Sequence, residues 1–237
     1  MGTNTTLRPI DEVNKQLGPF VEMINQDPTM AETTKVALVT FDSSARIERA
    51  LSDVGDLNGK LPTFTTHGNT TSWRAWTTLL RSLIESDTAA MVEAGWSGRR
   101  ALVVVLTDGK AMDDPSAWQP ALTRLTDPAW PLRPNIVALG YGDADRGVLK
   151  QTARVSGSLQ QALSDRGLEP WFLASGEATF ASQVAQVLEI AWASLVAAAE
   201  AADMDPNGEI VAEGTREVYP YSPLYLVIDT SPSMGER

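Results

Sequence analysis

The sequence has no cysteine and only one histidine, His67, among its 237 residues. The absence of cysteine excludes disulfide bonds, thiolate zinc sites and cysteine nucleophiles. A single histidine also makes a Ser-His-Asp hydrolase hard to build. Since His67 precedes Gly68 in a polar stretch, we expect it to be an exposed loop residue.

The beginning of the sequence lacks the basic segment and apolar run of a secretory signal. The longest apolar stretch, residues 190–202, is rich in alanine. It is shorter than the roughly 20 residues that a membrane-spanning helix needs. We therefore expect a cytoplasmic protein that does not enter a membrane.

Positive charge is scarce as well. Lys and Arg number 19 against 30 Asp and Glu, which gives a formal net charge of −11. This balance argues against a nucleic-acid or anionic-membrane surface, because phosphate binding needs a basic face. It suits divalent cations or basic partners, and it also suits ordinary solubility.

Hydrophobic residues make up 43% of the chain, which is enough for a globular core. Short apolar runs predict strands, and Ala101–Leu106 gives the strongest signal. Ala45–Leu51 alternates weakly between apolar and polar residues, which indicates an edge strand. The other predicted strands are Val36–Phe41, Asn135–Leu139, Trp171–Leu173 and Leu224–Ile228.

Helical periodicity alternates with these runs and predicts five helices. They cover Ile10–Ile24, Ser72–Ser86, Pro115–Leu125, Asp145–Val155 and Ala178–Ala202. Strands that alternate with helices indicate right-handed crossovers. We therefore predict one α/β domain over residues 1–237, with a Rossmann-like, doubly wound, mostly parallel sheet and helices on both faces. Residues 203–217 are polar, contain Pro206 and two glycines, and are predicted to be a linker.

Polar side chains follow the predicted strands where ligands bind in such sheets, at the strands' carboxyl ends. Asp229, Ser231 and Ser233 form a D-x-S-x-S sequence after one strand, and Asp108 follows another. Thr70 opens a helix after Gly68 and Asn69. Carboxylate and hydroxyl oxygens are the ligands that Mg²⁺ prefers. Taken singly, Ser233 also suits a helix N-cap, and Asp229 and Asp108 suit ordinary turns.

Together these motifs resemble the von Willebrand factor A domain with its metal-ion-dependent adhesion site. The resemblance is carried by YLVIDTSPSM at 225–234, VALVTFDS at 36–43, GNTTSW at 68–73 and VVVLTDG at 103–109. Within that family the chain resembles most the bacterial, intracellular, tellurium-resistance-type (TerY-like) members. The resemblance implies a site for Mg²⁺, Mn²⁺ or Ca²⁺ formed by Asp229, Ser231, Ser233, Thr70 and Asp108. It also implies a partner protein that supplies an acidic side chain to the metal, with no bond-breaking role.

The order of the elements departs from that family, which begins with the D-x-S-x-S strand, whereas here that strand comes last. Read from Tyr219 to Arg237 and then from Thr3 onward, the elements fall into the family order. The chain therefore resembles a circular permutation, and the alternative is that the last strand belongs to a second copy through strand exchange. Pro232 stands where the family usually has glycine, which either distorts the loop or stiffens it.

The function expected is divalent-metal-dependent protein binding within a bacterial stress-response assembly of the tellurium-resistance type. One alternative is a metal-assisted phosphoryl hydrolase, for which Asp229 is the only candidate nucleophile. Another is a structural scaffold with a disabled metal site. Asp113 and Asp114 follow Asp108 closely, and either support the metal ligands or cap the helix that begins at Pro115. Trp73 and Trp76 are expected in the core.

Overall fold

The sheet lies at the centre of the molecule. The computed structural model describes residues 8–57, 60–96, 98–141, 144–174 and 221–235. These parts contain six strands: β1 (Thr34–Phe41), β2 (Ala45–Asp53), β3 (Leu102–Thr107), β4 (Asn135–Tyr141), β5 (Trp171–Ala174) and β6 (Ser222–Asp229). They form one sheet in the order β2-β1-β6-β3-β4-β5. Strand β2 pairs antiparallel with β1, and all other pairs are parallel.

Helices cover both faces of this sheet. The described helices are α1 (Pro9–Gln26), α2 (Pro28–Thr33), α3 (Trp73–Glu93), α4 (Pro115–Leu125), α5 (Arg146–Thr152) and α6 (Gly157–Asp165). Side chains of α1, α2 and α6 pack into the core on one face, and those of α3, α4 and α5 into the core on the other. Two short 3-10 helices, Val54–Leu57 and Pro232–Gly235, complete the described elements.

Strand β6 occupies the middle of the sheet although it is the last strand in the sequence. All eight of its residues are buried. Successive side chains of a strand point to opposite faces. Leu224, Leu226 and Ile228 accordingly pack in the core with α1, and Tyr225 and Val227 in the core with α3 and α4. A continuous apolar run is what a parallel strand covered on both faces requires.

The prediction of a doubly wound α/β fold is confirmed, including the edge position of β2. Trp73 and Trp76 are fully buried and meet edge to face, with ring centroids 5.5 Å apart, so their prediction as core residues is also confirmed. Strand β4 continues past the predicted end at Leu139 to Tyr141.

Two short helices were not predicted. Helix α2 has only six residues and begins at Pro28, with the Asp27 side chain accepting a hydrogen bond from the Met30 N–H. Helix α6 has nine residues. Both are shorter than the roughly 11–18 residues over which apolar periodicity is read.

Two other predicted elements lie outside the described residues: the helix at Ala178–Ala202 and the linker at residues 203–217. Among the helices that the structure does describe, none has the length and hydropathy to cross a membrane.

Candidate metal centre

The candidate site lies where three neighbouring strands end. Strands β1, β6 and β3 are in a register that pairs Phe41 with Asp229 and Leu106 with Ile228. Their carboxyl ends therefore meet at one edge of the sheet, with β6 in the middle. The loop that leads into α3 joins this edge, because the His67 N–H donates to the Thr230 carbonyl oxygen over 2.6 Å.

Asp229 is the innermost polar group of the site. Its side chain is fully buried at the end of β6. One carboxylate oxygen, Oδ1, accepts a hydrogen bond from the Ser231 N–H over 2.8 Å, and Oδ2 accepts one from the Thr107 hydroxyl. The Thr107 Oγ1 in turn accepts from the Gly109 N–H over 3.1 Å. These bonds fix the turn after β6 to the turn after β3.

The charge of Asp229 has no counterpart among the basic side chains that the structure describes. None of the ion pairs formed by those residues includes it. Burial raises the pKa of Asp229 above its ordinary value, while the hydrogen bonds from Thr107, Ser231 and Gly109 oppose that shift. A buried carboxylate is stabilised when a cation lies beside it, and no described protein group supplies one.

Three further oxygen atoms form a chain of short contacts from the turn after Asp229 to Asp108. Ser231 Oγ lies 3.0 Å from Ser233 Oγ, and the Ser233 hydroxyl donates to Asp108 Oδ1 over 2.8 Å. Oxygens at adjacent corners of an octahedron with bonds near 2.1 Å are about 3 Å apart. Each successive pair of these atoms thus has the separation of two neighbouring magnesium ligands. The donor set fits a hard divalent cation.

The site differs from a carboxylate-rich metal cluster. In the described parts of the chain, no group of three or more His, Cys, Asp or Glu side chains is placed to hold a metal. The donors here are two carboxylates, Asp229 and Asp108, and several hydroxyls. This composition suits Mg²⁺, which usually takes one or two carboxylates and retains several waters.

The structure places Thr71, the neighbour of the predicted ligand Thr70, close to Gly109. A Cβ atom built on Gly109 would lie 2.6 Å from Thr71 Oγ1 and 3.0 Å from Asp229 Oδ2, so the Thr71 hydroxyl lies within the cluster. Thr71 is buried, whereas the side chain of Thr70 is half-buried. The sequence offers two adjacent threonines, and only the path of the loop distinguishes them. Thr107 and Thr71 therefore lie beside the predicted ligands, although neither was among them, and the assignment of Thr70 as a ligand stays a prediction.

Asp42, at the end of β1, shapes the loop on the other side of the site. Its carboxylate accepts hydrogen bonds from the Ser44 N–H over 2.8 Å and from Arg46 over 2.5 Å. Burial raises the pKa of Asp42, but these bonds outweigh that effect and hold it below its ordinary value. Gly68 packs directly on this carboxyl group and has a φ of +70°, which favours glycine.

Pro232 and His67 have ordinary structural roles. Pro232 is the first residue of the 3-10 helix Pro232–Gly235, and none of the described non-glycine residues has a positive φ. The fixed φ of proline is therefore compatible with the D-x-S-x-S turn. His67 is exposed, as expected, and its Nε2 lies 2.9 Å from Thr65 Oγ1.

The two aspartates after Asp108 act on different helices. Asp114 Oδ1 accepts from the Ser116 N–H over 2.8 Å and forms the N-cap of α4, which confirms the capping interpretation for this residue. Asp113 instead extends to α3, where its Oδ2 accepts from the Arg74 N–H over 2.7 Å and from the Ser72 hydroxyl over 3.0 Å.

Comparison with known families gives one match. The sequence profile of the von Willebrand factor type A domain matches residues 4–163, which include the Gly68–Ser72 loop and Asp108 but end before β6. No curated protein matches the chain well enough to count as a relative.

The contact between Gly68 and Asp42 predicts how alanine substitutions will behave. A Cβ on Gly68 would lie 2.7 Å from Asp42 Cγ, whereas a Cβ on Gly95, which has a φ of +79°, would meet nothing within 4 Å. Gly95→Ala should lower the free energy of unfolding by only the backbone penalty of about 1–2 kcal/mol. Gly68→Ala should lower the free energy of unfolding by about 1–3 kcal/mol more, because its Cβ would also displace the hydrogen-bonded side chain of Asp42.

Urea unfolding of the two variants measures this difference directly. Since both glycines have positive φ, Gly95→Ala serves as the matched control for backbone strain. Equal losses of stability in the two variants would show that the Asp42 contact does not constrain the loop.

Proposed function

Because the chain belongs to the von Willebrand factor type A domain family, we propose that it is a divalent-metal-dependent protein-binding module. One observation carries this proposal. The side-chain oxygens of Ser231, Ser233 and Asp108 lie in successive short contacts, close in sequence to the buried Asp229. Domains of this family often mediate protein interactions through such a site.

Each proposed ligand has a distinct role. The hydroxyls of Ser231 and Ser233 would contact the metal directly. Asp108 and a threonine would be the remaining ligands that the protein supplies. Asp229 would balance the charge from behind, since both of its oxygens already accept hydrogen bonds. Bound Mg²⁺, Mn²⁺ or Ca²⁺ would supply an open coordination position for a carboxylate. The partner proposed is therefore a protein that presents an acidic side chain.

We propose binding rather than phosphoryl hydrolysis. A nucleophilic aspartate must present a free oxygen to its substrate, but Asp229 is fully buried and its two oxygens are engaged by Ser231 and Thr107. An assay with p-nitrophenyl phosphate and Mg²⁺ should give no turnover above that of Asp229→Asn. Turnover that this variant abolishes would favour the hydrolase instead.

We also propose that the chain is circularly permuted and supplies β6 to its own sheet. Two observations support this: β6 lies between β1 and β3, and the 3-10 helix Pro232–Gly235 after it packs against α1. A strand joined to its own sheet by a linker experiences an effective concentration of about millimolar. That concentration exceeds the protein concentration of ordinary solutions, and so intramolecular insertion should dominate over strand exchange.

Membership of the TerY-like, tellurium-resistance-type group is a further proposal. It rests on the motif segments VALVTFDS and VVVLTDG and on the placement of the D-x-S-x-S turn. On this proposal the partner belongs to a bacterial stress-response assembly in the cytoplasm. Magnesium-dependent capture of a purified component of such an assembly would test it, and binding that persists in EDTA would contradict it.

Thermal unfolding in EDTA and in millimolar Mg²⁺ tests the metal site. Metal at 100 times its Kd should stabilise the parent by about 2.7 kcal/mol, or about 5–10 °C in midpoint. Asp229→Asn should lose this shift. In EDTA the parent should lose stability relative to the variant as the pH rises towards neutrality. A carboxyl group whose pKa is raised by folding stabilises the fold at low pH, and that contribution is lost as the pH rises. Removal of the charge relieves the cost. A shift of equal size in parent and variant would contradict the site.

The two adjacent threonines can be distinguished by the same measurement. Thr71→Val keeps the side-chain shape but removes the hydroxyl that lies beside Asp229 and Gly109. We expect it to reduce the Mg²⁺-induced shift to less than half, while the matched variant Thr70→Val retains the parental shift. The reverse pattern would assign the ligand to Thr70, as the sequence motif indicated.

Mixing of two defective variants distinguishes the chain's own strand from an exchanged one. Asp229→Asn damages β6, and Asp108→Asn damages the rest of the site. If each chain supplies its own β6, a refolded mixture at micromolar concentration should show no Mg²⁺ response. Recovery of the response together with a dimer mass would show that strands exchange between copies.

A further inference from the structure

We propose that Asp113 is a positioning residue that holds Thr71 in place relative to Asp108. This inference rests on the proposed metal site, of which Thr71 and Asp108 supply the part that does not come from the D-x-S-x-S turn. The two residues lie in different loops, one before α3 and one after β3. Their relative position therefore depends on whatever joins the two loops.

Asp113 makes the strongest of these connections. It lies in the loop that follows Asp108, but its side chain reaches into the first turn of α3. Oδ2 accepts a hydrogen bond from the Arg74 N–H over 2.7 Å and another from the Ser72 hydroxyl over 3.0 Å. Ser72 is the N-cap of α3 and directly follows Thr71. One carboxylate oxygen thus ties the residue after Thr71 to the loop of Asp108.

Two further contacts bring the same loops together. The Met112 N–H donates to the Thr71 carbonyl oxygen over 3.1 Å. Gly109 lies so close to Thr71 that an added Cβ would be 2.6 Å from its hydroxyl oxygen. From the opposite side, the Ser72 N–H donates to the Asp42 carbonyl oxygen over 2.7 Å. Thr71 is therefore held between the end of β1 and the Asp108 loop. Asp113 is the side chain that hydrogen-bonds from this loop to the residues after Thr71.

Asp114 provides an internal comparison. It is the same residue type at the next position, and it also caps a helix, since its Oδ1 accepts from the Ser116 N–H over 2.8 Å. That bond is local to α4 and does not cross to the loop of Thr71. The loss of either aspartate removes a hydrogen bond to the first turn of a helix, but only the loss of Asp113 separates the two ligand loops.

The consequence concerns affinity for the metal. A metal ligand is effective only when surrounding groups hold it in the geometry that the ion requires, and the loss of such groups commonly costs 10–100-fold in affinity. We therefore expect Asp113→Ala to weaken metal binding 10–100-fold. We expect Asp113→Asn to remain within about threefold of the parent, because the asparagine carbonyl oxygen accepts the same two bonds.

The experiment titrates the full chain with Mn²⁺ and follows the free ion by electron paramagnetic resonance. Asp114→Ala is the matched control. Asp113→Ala and Asp114→Ala should both unfold about 2–4 °C lower than the parent in EDTA, because each loses a carboxylate that accepts from an N–H in the first turn of a helix. Only Asp113→Ala should also lose affinity. A double variant with Thr71→Val should bind little more weakly than Thr71→Val alone if Asp113 acts through Thr71.

The possible failures are distinct. If the parent does not bind Mn²⁺, the proposed metal site itself is wrong. If the parent binds, the positioning role is overturned when Asp113→Ala binds as tightly as the parent, when Asp114→Ala loses as much affinity, or when the effects of Thr71→Val and Asp113→Ala simply add.

Discussion

The insertion of β6 between β1 and β3 is the interaction on which the rest of the structure depends. This strand is buried along its whole length and hydrogen-bonds on both sides. It joins the antiparallel edge formed by β1 and β2 to the parallel strands β3, β4 and β5. It also carries Asp229, around which the polar edge of the sheet is organised. Fold and candidate site are therefore not separable, because the strand that completes the sheet and the turn after it contain Asp229, Ser231 and Ser233.

The buried carboxylate of Asp229 explains why the turns around it are so fully hydrogen-bonded. A charge in this position is costly, and the protein compensates with donors from Ser231 and Thr107 rather than with a basic side chain. Asp42 is the other fully buried carboxylate at this edge, and its charge is balanced by an ion pair with Arg46. The contrast separates the two groups: Asp42 is paired with Arg46, whereas no basic side chain among the described residues pairs with Asp229.

The positions of the strands and the burial of their side chains could be predicted from the sequence. The finer geometry of the site could not. A short apolar run such as Leu224–Ile228, which lies between Pro223 and Asp229, favours a buried strand because a helix usually needs about ten residues or more. The choice between Thr70 and Thr71 depends on a loop path that is set by Gly68 packing on Asp42, a contact between residues far apart in the sequence. The reach of Asp113 to α3 is likewise a tertiary contact, which local patterns do not encode.

Crystallography with Mn²⁺ tests the central claim most directly, because the anomalous signal of manganese locates the ion without assumptions about its ligands. The account predicts a single strong anomalous peak at the edge of the sheet, within bonding distance of the Ser231 and Ser233 hydroxyls and beside Asp108. A crystal of the full chain grown in Mn²⁺ that shows no peak there, or a peak held by other side chains, would contradict it.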